Sequence, residues 1–164
     1  MNINWQAVFN AEIAWEAIPQ ILEGLPYTLS LSLIGFALGT FCGFFVALLR
    51  MSKITPLRWL AMLHISLMRG IPLMVLLFFI YFGLPFMGIQ LDAISASIIA
   101  FTSMSSAYIS EIIRASLSAI DKGQWEAAKS LGLRTNVIYR KIIIPQAFRI
   151  ALPPLSNVLL DMVK

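Results

Sequence analysis

The chain has 164 residues, enough for one domain. Apolar residues make up 59% of it and charged residues only 12%, where a soluble domain carries about 25% charged residues; so little polar surface excludes a water-facing globule. The net charge of +4 comes from basic residues set between apolar runs, which points to membrane topology and away from nucleic acid.

Met1 to Glu23 contains no Lys or Arg, so it lacks the basic leader of a secretory signal peptide. Trp5 and Trp15, with Val8, Phe9, Ile13, Ile18 and Ile21, suit either an interfacial helix with its tryptophans at headgroup depth or a loosely ordered tail. Gly24 to Leu49 carries no charge and is long enough to cross a bilayer. It is too long for a signal core and reads as a retained anchor. Gly35, Gly39 and Gly43 recur every fourth residue, which bares one helix face to close approach by another helix; the spacing does not name the partner. Cys42, the single cysteine, reads as a small buried hydrophobe with neither metal pattern nor disulfide partner.

The next apolar stretch contains Arg69-Gly70-Ile71-Pro72 and has two readings. In one, a long tilted helix carries Arg69 within the membrane, where a charge is costly and functional. In the other, 57–68 is an interfacial helix, Gly70 bends the chain, Pro72 opens the true span and Arg69 snorkels to the headgroups. His64 reads as a packing residue without a partner. Ile71 to Leu91 and Ala93 to Ser110 are two further uncharged or nearly uncharged runs, and Ile150 to Leu160 is a fourth, short and interrupted by Pro153-Pro154. The spans are expected near 24–49, 71–91, 93–112 and 146–163 of a single membrane domain covering 1–164.

Ten of the twelve basic residues fall in two places. Arg50, Lys53 and Arg58 follow the first span; Arg114, Lys122, Lys129, Arg134, Arg140, Lys141 and Arg149 lie between the third and fourth. Segments 1–23 and 84–92 hold Glu12, Glu16, Glu23 and Asp92 and no basic residue. The positive-inside rule then places the N-terminus outside and both basic loops in the cytoplasm.

Residues 114–144 form a loop with its own helical pattern. Gln124 to Leu131 is helix-prone, with Trp125, Ala128 and Leu131 near one face and Glu126 and Lys129 beside it. Gly132 suits a left-handed cap. Thr135 or Asn136 suits the cap of a second helix running to Ile144, which Pro145 interrupts or bends. Small Ala127 and Ala128 would let the first helix sit deep in a groove of another protein.

Glu126-Ala127-Ala128, then Gly132, then Ile144-Pro145 resembles the "EAA" cytoplasmic loop of permeases from bacterial ATP-binding-cassette importers. The wider set of Tyr108, Glu111, Arg114, Gly123-Gln124, Leu131-Gly132, Pro145-Gln146-Ala147, Arg149 and Pro153, together with Arg69-Gly70-x-Pro72-Leu73, is similar to the polar amino-acid branch. The resemblance implies an all-α type I importer permease core in a bacterial cytoplasmic membrane. It implies no catalytic, cofactor-binding or metal-ligating residue in this chain. The implied partners are separate ATPase subunits, a second permease subunit (identical or different), an extracytoplasmic amino-acid-binding protein and the surrounding lipid. Carried over, the ATPase-coupling residues are Gly123, Gln124, Glu126, Ala127, Ala128, Gly132, Ile144 and Pro145. The chain carries no P-loop pattern. Family members continue beyond the position of Lys164 into a fifth span, so the resemblance also implies a C-terminally truncated chain. A nonfunctional remnant and a passive channel or scaffold are the alternative readings.

Polar groups inside spans tend to face a cavity. Thr102, Ser106 and Ser110 recur every fourth residue with Ser103 beside them, and Asn157 and Asp161 do the same in the last span. A break at Pro153-Pro154 would free backbone groups there. These residues are the expected lining of a translocation route, with back-bonding to their own helix as the alternative for the serines.

Overall fold

The computed structural model describes residues 11–164, with side chains from Trp15 onward. Trp5, Val8 and Phe9 lie outside the described residues. The described residues are helical, with no strand.

Helix α1 runs Ala11–Arg50. At 1.5 Å per residue its 40 residues span about 60 Å, roughly twice a hydrocarbon core. Of the two readings of the N-terminal segment, its described part forms neither a loose tail nor a separate helix. It runs without interruption into the first apolar stretch, with Pro19 and Pro26 inside.

Helix α2 is Thr55–Gly70 and α3 is Leu73–Phe78, which continues through a π turn at Phe79–Gly83 and a 3-10 turn at Leu84–Met87. The two helices meet at 105°, so no single straight helix carries Arg69. The cause is local. Proline disfavours helical geometry in the residue before it, and Ile71 is extended at φ −102°, ψ 128°. The segment ends at Gly88, whose φ of +83° suits glycine.

Helix α4, Ala93–Ser118, is capped by Asp92, whose carboxylate accepts from the Ile94 and Ser95 amides at 3.1 and 3.2 Å. It is the centre of the molecule. Gly35, Gly39 and Gly43 of α1 lie against Phe101, Ser105 and Ile109 of α4 in constant register, so the two helices run parallel. A methyl at Gly35 would stand 2.5 Å from Phe101 Cβ, one at Gly43 2.9 Å from the Ser106 carbonyl oxygen, and one at Gly39 would collide with the Ser105 side chain. The Ser105 hydroxyl lies 3.1 Å from the Gly35 carbonyl, a polar tie across the same seam.

A short helix α5, Lys122–Ser130, follows α4. Helix α6, Thr135–Ile138, then passes through a π turn at Tyr139–Ile143 into α7, Ile144–Val163. The expected break at Pro153-Pro154 is not formed, because both prolines sit inside α7. Proline fixes φ near −65°, a helical value, so it can sit in a helix at the cost of a lost ladder bond and a crowded carbonyl four residues back. Helix α7 runs back along α4: Ile150 and Pro154 lie near Ala115 and Ala119, and Met162 near Phe101. The Ser32 hydroxyl of α1 donates to the Met162 carbonyl at 2.7 Å and closes the bundle.

Large side chains such as Leu33, Phe41, Phe44, Phe78 and Phe82 point outward and are exposed. In water this would be a large apolar patch; in a bilayer it is the lipid-facing surface.

Gly39→Leu is expected to destabilise the detergent-solubilised chain by about 1–3 kcal/mol through overpacking, seen as a lower melting midpoint. Gly24→Ala, where a methyl meets nothing within 4 Å, should melt no lower than wild type. Equal melting of both variants would disprove the α1–α4 seam.

Candidate functional site

The loop helix α5 is built by its ends. Asp121 caps it, with Oδ1 accepting from the Gly123 amide at 2.6 Å. At its other end Gly132 adopts φ +70°, the Leu133 amide donates to the Ala128 carbonyl at 3.2 Å and the Gly132 amide to that of Lys129 at 2.9 Å. This is the paired bonding of a glycine-terminated helix.

The faces of α5 differ from the expectation. Ala128 is buried, at 2% exposure, in a cluster with Ile120, Ile138, Ile143 and Ala147 of its own chain. It therefore has no side chain to offer a groove elsewhere. Trp125 packs on the same cluster and meets Tyr139 edge to face, with ring centroids 4.7 Å apart. Leu131 does not join them: the helix ends at Ser130, and the turn throws Leu131 outward to 78% exposure. Gly123, Gln124, Glu126, Ala127 and Gly132 are exposed.

The second helix of the loop starts one residue early. Its cap position is Arg134, with no side-chain cap bond, and Thr135 and Asn136 lie within the helix. Pro145 does not stop it. The preceding π turn lets the Ile144 amide reach the Tyr139 carbonyl five residues back, and Pro145 falls in the first turn of α7, where a missing donor costs little. Ile144 and Pro145 are both exposed.

Four residues from the Arg69 and Tyr108 motifs converge. The Arg69 guanidinium stands over the Tyr108 ring, 5.4 Å from its centroid. Glu111 accepts from Arg114 Nε and Nη2 at 3.0 and 2.8 Å, a two-pronged pair. Arg50, at the end of α1, stands 3.5 Å from the other Glu111 oxygen. Arg69, Tyr108, Glu111 and Arg114 line a cavity of about 390 Å³, closed on the far side by Ile150 and Pro154 of α7. Gly70 and Pro72 do not line it; Gly70 is the last residue of α2 and Pro72 follows the break at Ile71. In the sequence Arg50 has only a topological role, and nothing in its local spacing signals the ion pair.

The route residues separate into two groups. Ser106 and Ser110 are buried in the bundle, and their hydroxyls donate to the Ser103 and Ala107 carbonyls at 2.7 and 2.8 Å. Ser106 also lies 2.9 Å from His64 Nε2, so His64 has a partner, contrary to the sequence reading. Thr102 and Ser103 are half-buried, and Thr102 Oγ1 is buried without a hydrogen-bond partner. Asn157 and Asp161 are exposed on α7. Asp161 pairs with Lys164 at 3.2 Å and lines a second cavity of about 230 Å³ with Leu73, Ser105 and Tyr108. Tyr108 thus borders both cavities, one lined by Arg69, Glu111 and Arg114 and the other by Asp161. Ser105, absent from the expected set, binds across the seam and reaches the second cavity; its place beside Gly39 follows only from the α1–α4 register.

An apolar helical bundle with internal charge pairs and a capped helix on a connecting loop is the core of a membrane permease. The family model for the binding-protein-dependent transport system inner membrane component matches residues 35–164, and the chain belongs to this family. The probable amino-acid ABC transporter permease protein YckA of Bacillus subtilis (strain 168) is 50% identical over 163 residues, covering 99% of this chain and 72% of that protein. The L-cystine transport system permease protein TcyB of the same organism is 40% identical, covering 93% and 67%. Among solved structures, an amino acid ABC transporter crystallised with histidines superposes with a TM-score of 0.85 at 38% identity, covering 99% of this chain and 73% of that one. The fold is the type I permease fold of ATP-binding-cassette transporters.

Glu111→Gln keeps the shape of the side chain and removes the charge that Arg50 and Arg114 face. The expected loss is about 1–3 kcal/mol in unfolding free energy, with Arg114→Lys intermediate because lysine cannot form the two-pronged pair. Unchanged stability in both variants would mean that water already neutralises these cations.

Proposed function

We propose that this chain is a permease subunit of an importer that brings a polar amino acid into a bacterial cell, driven by ATP hydrolysed on separate ATPase subunits. The observation that carries the reading is the capped, outward-facing α5 helix on the loop that also holds the family's motif residues. A connector between spans needs no such helix. Its exposed Gly123, Gln124, Glu126 and Ala127, the turn at Gly132, and the exposed Ile144 and Pro145 beside it are the contact set for an ATPase cleft. Ala128 serves that set from behind by fixing the helix on its base.

The polar amino-acid assignment rests on the relatives. One is named for L-cystine, one for glutamine and one for arginine. The two cavities suit such a substrate. An amino acid offers a carboxylate and an ammonium group, and Arg69 and Asp161 offer the opposite charges on either side of Tyr108. Asn157 and Asp161 on α7, with Thr102 and Ser103 on α4, line the route in this reading, while Ser106 and Ser110 hold α4 together behind it. The charge distribution places the N-terminus outside and α5 in the cytoplasm. A second permease subunit completes the pore, and an extracytoplasmic amino-acid-binding protein delivers the substrate.

The test is uptake into proteoliposomes holding this chain with the ATPase, permease and binding-protein partners of its source organism. Radiolabelled L-cystine, L-glutamine and L-arginine are offered in turn. ATP-dependent uptake of one of them is expected, and Gly132→Val should abolish it together with copurification of the ATPase, because a β-branched residue resists a φ of +70°. Arg69→Gln should raise the half-saturating concentration roughly tenfold through loss of a charged contact. Failure to transport any of the three, with the complex intact, would refute the polar amino-acid reading.

A further inference from the structure

Three ties join α5 to one short stretch of the chain, and Ala128 packs in addition on Ile120, just after α4. Trp125 meets Tyr139 edge to face at 4.7 Å. Ala128 is buried against Ile138, Ile143 and Ala147. The Gln146 side-chain Nε2 donates to Gln124 Oε1 at 3.3 Å. The common target, residues 138–147, contains the π turn at Tyr139–Ile143 and the first turn of α7.

A π turn holds one residue more per hydrogen-bonded loop than an α-helix. It marks a place where the ladder can shift without breaking. Tyr139 is its first residue, and its carbonyl receives the Ile144 amide. The stack with Trp125 therefore grips the residue at which the ladder changes from α to π. Beyond it α7 continues to Val163 without a break, passing the cavity of Arg69 at Ile150 and Pro154 and that of Asp161 at its far end.

Trp125 is poorly placed to touch a partner. Its ring is half-buried on the inner face, while Gly123, Gln124, Glu126 and Ala127 are exposed. It touches neither cavity. The geometry points to a different role: we infer that the Trp125–Tyr139 contact and the π turn beneath it form the joint through which displacement of α5 is passed to α7. Trp125 and Tyr139 are positioning residues, acting on the cavities only through the rigid helix between. The inference rests on the transport reading above, and it adds the route by which motion at the loop reaches the substrate cavities.

The test uses the reconstituted complex and the amino acid, among L-cystine, L-glutamine and L-arginine, that wild type transports. ATP hydrolysis and uptake are measured in the same vesicles. Trp125→Ala is expected to lower the amount transported per ATP hydrolysed by about fivefold or more, with hydrolysis still stimulated by the loaded binding protein. Trp125→Phe, which restores a ring edge to Tyr139, should recover most of that ratio. Tyr139→Leu approaches the contact from the other side and should reproduce the alanine defect. A Trp125→Ala complex that keeps the wild-type ratio overturns the inference. So does a parallel fall of hydrolysis and uptake, or loss of assembly in both Trp125→Ala and Tyr139→Leu, since each indicates a purely structural contact. If wild type itself transports none of the three amino acids, the failure belongs to the transport reading, and the ratio among variants is not what decided it.

Discussion

The close approach of α1 and α4 is the constraint on which the other placements depend. In a bilayer, apolar side chains gain nothing by leaving lipid for each other, so helices associate through packing and polar ties. Three glycines in constant register remove the side chains that would hold α1 away, and Phe101, Ser105 and Ile109 occupy the space. Ser105 then reaches the Gly35 carbonyl. With α4 fixed, the remaining helices have only a few positions open to them. Helix α2 is tied at His64–Ser106, α3 packs Leu76 and Ile80 on Ala96 and Ala100, and α7 is tied to α1 at Ser32. Small residues are the common device at these contacts: Ala96, Ala100 and Ala107 of α4 are fully or almost fully buried.

The same seam sets the electrostatics. Parallel α1 and α4 bring Arg50 within 3.5 Å of Glu111, and the helical repeat brings Arg114 to its other side. Glu111 is thus held by two cations and has little left for a third. Arg69 is brought to the same cavity by the bend at Ile71, faces an aromatic ring, and makes no ion pair among the described residues. An arginine over a ring keeps its donors free. Three guanidinium groups against one carboxylate leave this end of the bundle positive, whereas Asp161, about three turns along α7 from Ile150, is paired with Lys164 at 3.2 Å.

Much of this was legible in the sequence because membrane spans are written as apolar runs and the loop motif is written in order. The glycine face was legible too; its partner was not, since four-residue spacing describes one helix surface and says nothing about what covers it. The convergence of Arg69 on Tyr108 and Glu111 was hidden for a similar reason. It needs a 105° bend, and Pro72 announces a bend without its direction. The serine spacing at Ser106 and Ser110 correctly marks one face of α4, but that face is buried in the bundle, where hydroxyls bond back to their own helix. A pattern search cannot separate a cavity from a seam, because both exclude lipid. Proline misled in the other direction. Pro145 suggests an interruption or a bend and Pro153-Pro154 a break, yet all three lie within a helix, the first accommodated by a π turn that no composition signal predicts.

That π turn bears on how the two halves of the molecule communicate. A loop helix such as α5 can influence a cavity between the helices through something stiff that reaches both. Helix α7 does so: its base carries Ile143, Ala147 and the contacts to α5, and its far end carries Asp161 and the bond from Ser32. A helix continuous from base to tip would move as one body and drag the loop with every change in the cavity. A π turn between loop and helix loosens that link at one point, while the Trp125–Tyr139 stack restrains it from outside. In the proposed coupling the link depends on a contact between two side chains, and such a contact can engage or release with far less disturbance than the helix backbone itself.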